Sequence, residues 1–249
     1  MSGHSKWAQI KRQKGVADTR RGQLFTKLSR EIVVAARQGG DNPETNFRLR
    51  LAVQKARDDN MPLESIERAI KRGAGGSEGA SLTEAVYEGY GPGGAAILLE
   101  AVTDNRNRTT AEVRNVFSRG GGSLGEGGCV TWIFESKGVI TVEAMDAEEL
   151  ALYVIDAGAE DIKIIDGSLE IHTKLEDLEG LRKALEEKNL AIVSAEVVMV
   201  PKSTVMLEEK AALQTLRLLD RIEELDEVQR VFTNADFPNA ALEKYRSQA

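Results

Sequence analysis

Residues 138–173 read GVITVEAMDAEELALYVIDAGAEDIKIIDGSLEIHT, and this stretch predicts the architecture of the middle of the chain. GVITVE has the pattern of a strand, DAEELALYVIDAG has apolar residues at helical spacing, and DIKII and SLEIHT are again strand-like. The residues up to Val200 add a helix in LEDLEGLRKALEEKN and a strand in AIVSAEVVMV. The resulting order β-α-β-β-α-β over residues 138–200 is that of a ferredoxin-like domain.

The segment 82–135, which precedes this domain, has the pattern of a second α+β domain. It predicts two strands, EAVYEGY and AAILLEAVTD, around the turn GPGG, then the helix NRTTAEVRNVFSRGGG and the strand CVTWIFE. The glycines of GYGPGG match the spacing of a dinucleotide-binding loop, but such a loop needs a helix after it and here a strand follows. A turn with positive φ therefore explains them better. Cys129, in the last predicted strand, is expected to be buried.

The segment after Pro201 is too small to form a stable sheet by itself. It predicts the strand STVMLE, the helix EKAALQTLRLLDRIEELD and the strand EVQRVFTNADF. Because two strands alone are marginally stable in water, we expect them to pair with the strands of residues 82–135. Residues 82–135 and 202–249 would then form one domain, and residues 138–200 would be inserted in it.

Residues 1–75 predict a basic arm followed by a three-helix bundle. The first 17 residues lack apolar periodicity, whereas the next twenty carry one at helical spacing, formed by Leu24, Leu28, Ile32 and Ala35. Two further helices are predicted in TNFRLRLAVQKARDDN and MPLESIERAIKRG, the latter capped by Asn60 and ended by Gly73. The linker GAGGSEGAS follows. The predicted fold is therefore α+β and multidomain, with an N-terminal three-helix bundle and two α+β domains.

The charge of the chain is divided unevenly along its length. The whole chain of 249 residues has a formal net charge of −7, yet residues 1–40 carry nine Lys or Arg and two acids. Residues 81–249 carry 17 bases and 31 acids. A cationic segment joined to an anionic body is typical of a protein whose basic part contacts a polyanion, although a basic terminus can also be no more than solvated surface.

Few residues of the chain suit catalysis or metal binding. The two histidines are His4, in the arm, and His172, in a predicted strand. Cys129 is the single cysteine, so it has no partner for a disulfide or a zinc site. We therefore expect no enzymatic activity, cofactor, metal or small-molecule substrate. No apolar run is long enough to cross a membrane, and we expect a cytoplasmic protein without a membrane partner.

Two groups of residues remain as candidates for contact with a polyanion. The first is the arm with the polar face of the first helix, where Trp7 is either a stacking surface for an unpaired base or an anchor onto the bundle. The second is TDNRNRTT, where Asp104 or Asn105 can cap a helix and place two arginines near its N-terminus. The candidate nucleic-acid-binding residues are Lys6, Trp7, Lys11, Arg12, Lys14, Arg20, Arg21, Lys27, Arg30, Arg106 and Arg108.

Five long segments of the chain resemble the YebC/PmpR family. They are GHSKWAQIKRQKGVADTRRGQLFTKLSREI, NMPLESIERAIKRGAG, YEGYGPGGAAILLE, TDNRNRTTAEVRNVF and ELDEVQRVFTNADF. They span nearly the whole chain, whereas residues 138–200 carry little recognisable signature. The resemblance implies a helical N-terminal domain and two α+β domains, of which the ferredoxin-like one is inserted in the other.

The resemblance implies a nucleic-acid partner and leaves two functions open. Members of the family are labelled as transcriptional regulators that bind DNA, and mitochondrial relatives are translational activators of cytochrome oxidase. Other relatives are placed on the ribosome, where contacts to ribosomal RNA or tRNA would help elongation through difficult sequences such as proline runs. We expect a DNA-binding transcriptional regulator, with a ribosome-associated translation factor as the alternative.

Overall fold

The computed structural model describes residues 18–75, 82–143, 147–165, 168–188 and 190–248. The chain has an α+β fold and divides into two compact units. One unit comprises residues 1–134 and 201–249, and the other comprises residues 135–200. None of the helices in the described ranges is long and apolar enough to cross a membrane.

Three helices form the N-terminal part of the first unit, as predicted. They are α1 (Asp18–Gly39), α2 (Phe47–Asp58) and α3 (Leu63–Ala74). Their shared core contains Ile32, Leu49 and Ile66, one from each helix and all fully buried. Helices α2 and α3 pack mainly against α1 and little against each other.

Two details of helix α3 differ from the prediction. Asn60 does not cap it, because Asn60 has a φ of +58° and the residue that precedes the helix is Pro62. Gly73 does not end it either, since the helix runs to Ala74. Gly73 is buried where α3 crosses α1, and a Cβ there would lie 2.5 Å from the carbonyl oxygen of Val33. The crossing needs a residue without a side chain.

The remaining elements are strands and helices interspersed along the chain. In order they are β1 (Thr83–Tyr90), β2 (Ala96–Thr103), α4 (Arg106–Arg119), β3 (Ser123–Leu124), β4 (Phe134–Glu143), α5 (Ala147–Asp156), β5 (Asp161–Ile165), β6 (Ser168–Thr173), α6 (Leu178–Glu187), β7 (Ile192–Pro201), β8 (Val205–Met206), α7 (Glu209–Glu223), β9 (Val228–Thr233), β10 (Ala235–Asp236) and α8 (Asn239–Gln248).

The sheet of the first unit joins the two ends of the α+β region. Its strand order is β3-β1-β2-β9, and each of these pairings is antiparallel. The pairing of β2 with β9 confirms that the C-terminal tail completes the sheet begun by residues 82–135. Helices α4 and α7 contribute Phe117 and Leu216 to the core of this sheet, and the turn before the unpredicted helix α8 adds Phe237.

The second unit has the ferredoxin-like topology expected from its sequence. Its sheet order is β5-β6-β4-β7, so the first and third strands in chain order lie at the centre. The pairs β4–β6 and β5–β6 are antiparallel. The fully buried residues Ile140, Leu169 and Ile171 lie on these strands, and Leu181 and Leu185 lie on α6.

The prediction of a strand over residues 129–135 is wrong for most of its length. Residues Thr131–Ile133 form a short 3₁₀ turn, β4 starts at Phe134, and Cys129 is only partly buried. The reason is Glu88, whose buried carboxylate accepts hydrogen bonds from backbone N–H groups of this segment. Those N–H groups are therefore satisfied by a side chain instead of a neighbouring strand.

Candidate nucleic-acid interface

Most of the predicted arm lies outside the described residues. This holds for Lys6, Trp7, Lys11, Arg12 and Lys14, whose roles therefore stay predictions. Arg20 and Arg21 lie in the first turn of α1, at the end to which the arm is attached. Arg21 is exposed. Helix α1 thus fixes where the arm joins the bundle.

Two basic residues further along α1 contact the C-terminal end of α7 and the segment that follows it. Lys27 Nζ donates to the carbonyl oxygen of Glu223 at 2.5 Å. Arg30 Nη1 donates to the carbonyl oxygen of Asp226 at 2.5 Å, and Arg30 Nη2 lies 3.9 Å from Glu227 Oε1. These contacts hold α1 against the α+β region. A phosphate would have to compete with them for either side chain.

The start of α4 is capped as the sequence predicts. Asn105 Oδ1 accepts the backbone N–H of Arg108 at 3.1 Å, so Asn105 rather than Asp104 is the cap. Arg108 Nη2 donates to Asp104 at 2.7 Å and to Glu227 at 3.0 Å. The hydrogen bond to Asp104, followed by the one to Glu227, raises the pKa of Arg108. Arg106 is exposed and has no ion-pair partner among residues 18–75, 82–143 and the later described ranges.

Glu227 brings the two predicted groups of basic residues together. Its side chain is largely buried between α1 and α4, and its Oε1 lies 3.0 Å from Arg108 Nη2 and 3.9 Å from Arg30 Nη2. Arg30 and Arg108 therefore lie beside each other although 77 residues separate them in the chain. Sequence analysis identified both groups but could not show that they share one carboxylate.

A second cluster of charges, also between the bundle and the sheet, has no signal in the sequence. Arg48 on α2 lies 3.0 Å from Glu31 and 2.6 Å from Glu84, while Arg230 on β9 lies 3.7 Å from Glu31 and 3.6 Å from Glu100. The hydrogen bond from Arg48 lowers the pKa of Glu84, whereas burial raises the pKa of Glu100. This cluster, Glu31, Arg48, Glu84, Glu100 and Arg230, connects the bundle to β1, β2 and β9.

His172 and Cys129 lie in environments that suit a structural role. His172 is buried in β6, and its Nε2 lies 2.7 Å from Glu170 Oε1. Burial, together with the nearby charge of Glu88, raises the pKa of the Cys129 thiol, which keeps it in the less nucleophilic form. Within the described part of the chain, no group of three or more His, Cys, Asp or Glu residues could hold a metal ion.

Comparison with family models matches the chain in two consecutive segments. Residues 5–76 match the TACO1/YebC protein N-terminal domain. Residues 82–235 match the TACO1/YebC second and third domain. The break between the two matches falls in the glycine-rich linker that follows α3.

The similar proteins extend over the same length as this chain. A protein of Dehalococcoides mccartyi strain BAV1, named "Probable transcriptional regulatory protein", is 59% identical over 251 aligned positions, with all of both chains covered. A protein of Moorella thermoacetica with the same name is 54% identical and covers 98% of this chain and 99% of its own. The crystal structure of a conserved hypothetical protein from Aquifex aeolicus is similar with a TM-score of 0.83 at 49% identity, covering 89% of this chain and 92% of that one.

Proposed function

Because the chain belongs to the TACO1/YebC family, we propose that it is a DNA-binding regulator of transcription whose N-terminal basic segment contacts the phosphate backbone. The names of its relatives support regulation of transcription. The division of charge supports the polyanion contact, because the first 40 residues are strongly basic and the rest of the protein is acidic.

The observation that carries the proposal is the meeting of α1 and α4 at Glu227. It places the helix that bears the arm beside the N-terminal end of α4, where Arg106 is exposed. Backbone N–H groups at a helix N-terminus attract anions, and an arginine there adds a full positive charge. Two basic segments that are distant in sequence can therefore contact one stretch of nucleic acid.

Such a contact makes affinity depend steeply on salt. Each neutralised phosphate of duplex DNA releases condensed counterions, so about five contacts give a slope of log K against log salt near −4.5. We expect this slope in fluorescence-anisotropy titrations of the full chain with random duplex DNA. An affinity that is unchanged between low and physiological salt would contradict the phosphate contact.

Charge reversal tests which residues make the contact. A variant with Lys11, Arg12, Lys14, Arg20 and Arg21 changed to Glu should lose affinity for every duplex sequence alike, since phosphates carry no sequence information. The matched control reverses five exposed lysines elsewhere and should lose much less affinity; these are Lys174, Lys183, Lys188, Lys210 and Lys244. Equal losses in both variants would mean that only net charge matters and that the arm has no specific role.

Helices α2 and α3 favour the alternative, a ribosome-associated translation factor. A four-residue connection joins them, as in a helix-turn-helix, but both pack mainly on α1, and Glu64 and Glu67 occupy the early turns of α3. A DNA recognition helix usually presents Arg, Asn or Gln to base edges from those turns. Contacts through phosphate alone suit folded RNA as well as DNA. Crosslinking in cells with sequencing of both nucleic acids separates the two functions: promoter DNA supports the first, and ribosomal RNA or tRNA supports the second.

A further inference from the structure

Two exposed aromatic side chains lie beside each other on the first unit. Trp132 is 68% exposed and Tyr90 is 37% exposed. Trp132 Nε1 donates to the carbonyl oxygen of Cys129 at 3.0 Å, and Tyr90 Oη donates to the same oxygen at 2.9 Å. Because both rings reach one acceptor, they are neighbours, and the polar group of each is already satisfied.

The loop beneath these rings is held rigidly by a buried carboxylate. Glu88 is only 6% exposed, and its two oxygens accept the backbone N–H groups of Gly128, Val130 and Thr131 at 2.7–2.8 Å. Lys202 adds a bond from its backbone N–H to the carbonyl oxygen of Ile133 at 2.8 Å. Trp132 is thus positioned by several independent contacts rather than by its own packing.

The chemistry of the exposed surface suits a flat aromatic ligand. With its N–H group bonded within the loop, the indole of Trp132 offers mainly its π face, and no ring or cation packs on that face among the described residues. Tryptophan is highly buried on average, so an indole exposed to this degree is unusual. Gly128 and Gly127, four and five residues before Trp132, belong to the same loop and have open space around them, since a Cβ at either would have no atom within 4 Å.

The surroundings favour a nucleic-acid ligand over a protein. Lys202 is exposed, and its ammonium donates to the carbonyl oxygen of Trp132 at 3.3 Å, so a cation lies at the backbone of the residue that carries the ring. A protein-binding hot spot is normally enclosed by further side chains that exclude water. In the loop before Trp132, residues 125–128 and Thr131 are exposed, and none of them has a large apolar side chain. An aromatic face beside a cation is the combination that binds single-stranded nucleic acid.

We propose that Trp132, flanked by Tyr90, is a stacking platform for one unpaired nucleobase, with Lys202 available to the adjacent phosphate. This inference rests on the proposed nucleic-acid function and deepens it, because it adds a base contact to the phosphate contacts of the basic segment. It predicts that the protein prefers nucleic acid with unpaired bases over a fully paired duplex of equal charge.

Fluorescence of the full chain tests the platform directly. The protein has two tryptophans, so Trp7→Phe leaves Trp132 as the sole indole. The probes are a single-stranded oligouridylate of about 12 nucleotides and an abasic oligomer with the same number of phosphates, a length suited to one such site. The oligouridylate should quench the emission of Trp132, and the abasic oligomer should not.

Affinity of the Trp132→Ala variant gives the second measurement. Base–aromatic stacking lowers Kd about 5- to 150-fold per base, so Trp132→Ala should weaken oligouridylate binding by a factor in that range and leave abasic binding unchanged. Trp132→Phe should retain part of the preference. Leu152→Ala, which also shortens an exposed apolar side chain, is the control and should change neither affinity. The thermal unfolding midpoint of each variant establishes that it is folded.

The experiments separate failure of this inference from failure of the proposed function. If both oligomers bind with the same salt-dependent affinity and Trp132→Ala changes nothing, the platform is refuted while the phosphate contact stands. If neither the two oligomers nor random duplex DNA binds at low salt, both proposals fail. A photo-crosslinking amino acid in place of Trp132 that captures protein and no nucleic acid in cells also overturns the platform, because the face would then be a protein contact.

Discussion

Gly73 shows at the scale of one residue how the absence of a side chain sets the distance between two helices. An ideal Cβ at this position would lie 2.5 Å from Val33 O and 2.7 Å from the Cβ of Ala36. Both neighbours belong to α1, and both are buried. The local sequence, with Lys71 and Arg72 before a glycine, is typical of a helix C-terminus, which is why sequence analysis ended α3 there.

Replacing Gly73 with Ala should destabilise the protein although Ala favours helix. Ala gains about 1 kcal/mol in helix propensity, but the added methyl forces α1 and α3 apart, and such overpacking costs about 1–3 kcal/mol. We expect a net loss in the free energy of unfolding, measured by urea denaturation of the full chain. Gly22→Ala is the control, since Gly22 lies in α1 with no atom within 4 Å of its ideal Cβ, and should stabilise. Stabilisation by both changes would show that the crossing tolerates a side chain.

Glu88 organises, at the scale of an element, the loop that precedes β4. Burial tends to raise its pKa, but hydrogen bonds from the N–H groups of Gly128, Val130 and Thr131 outweigh burial and hold the pKa below its ordinary value of 4.5. Because three N–H groups donate to one carboxyl group, both of its oxygens must act as acceptors, and only the ionised form provides this. A carboxylate on β1 thus decides that residues 131–133 form a turn.

The Glu88→Gln variant should lose stability in a pH-dependent way. The amide has one acceptor oxygen and places donors against a backbone N–H, which costs about 1–3 kcal/mol at about pH 7. Because the folded pKa of Glu88 is depressed, its ionised form stabilises the protein above the unfolded pKa, and this contribution is lost as pH falls through the folded pKa. The difference between wild type and variant, from urea denaturation at several pH values, should shrink on acidification.

A second substitution in the same loop separates the role of Glu88 from a general effect of charge. Glu126 is exposed, so Glu126→Gln makes the same change of charge without a buried partner. It should alter the free energy of unfolding by less than about 0.5 kcal/mol. If the difference between wild type and Glu88→Gln stays constant down to strongly acidic pH, the carboxylate is not the group that holds the loop.

Glu227 acts at the scale of the whole molecule, because it links α1 to α4. Its carboxylate neutralises part of the charge of Arg30 and Arg108, the two predicted phosphate contacts that it brings together. The same carboxylate therefore stabilises the bundle on the sheet and restrains two arginines of the proposed interface. Ion pairs formed inside a protein compete with ion pairs to a ligand.

Replacing Glu227 with Gln should change stability and affinity in opposite directions. Loss of the two arginine contacts should lower the free energy of unfolding, by a modest amount because Arg108 is exposed. Release of Arg108 should tighten nucleic-acid binding and steepen the salt slope by about one unit, measured by anisotropy titration. Glu243→Gln, on the exposed side of α8, changes net charge equally and should do neither. Weaker binding by Glu227→Gln would exclude Arg108 from the interface.

Elements whose signals are local could be predicted from the sequence. The three N-terminal helices, the β1–β2 hairpin and the ferredoxin-like order follow from periodicity and turn residues, which act over a few neighbouring positions. The sequence also located the basic segments and a helix cap at Asp104 or Asn105. Interactions between distant segments have no such signal. For this reason the sequence did not predict the loop held by Glu88, the charge cluster that includes Glu31 and Arg230, or the close contact at Gly73.

Contacts between distant segments of the fold set which charges are paired inside the protein and which side chains remain exposed. Lys27 and Arg30 look like free cations of a helix face, yet they donate to backbone carbonyl oxygens at the end of α7 and just after it. Trp132 falls in a segment predicted to be a strand, yet it lies in a short turn and its indole is exposed. The physical reason is that the partner of a charged group or an aromatic ring depends on which distant segments meet in the folded chain. The charge and hydropathy of a residue are the same whichever segments meet, so the sequence pattern does not identify the partner.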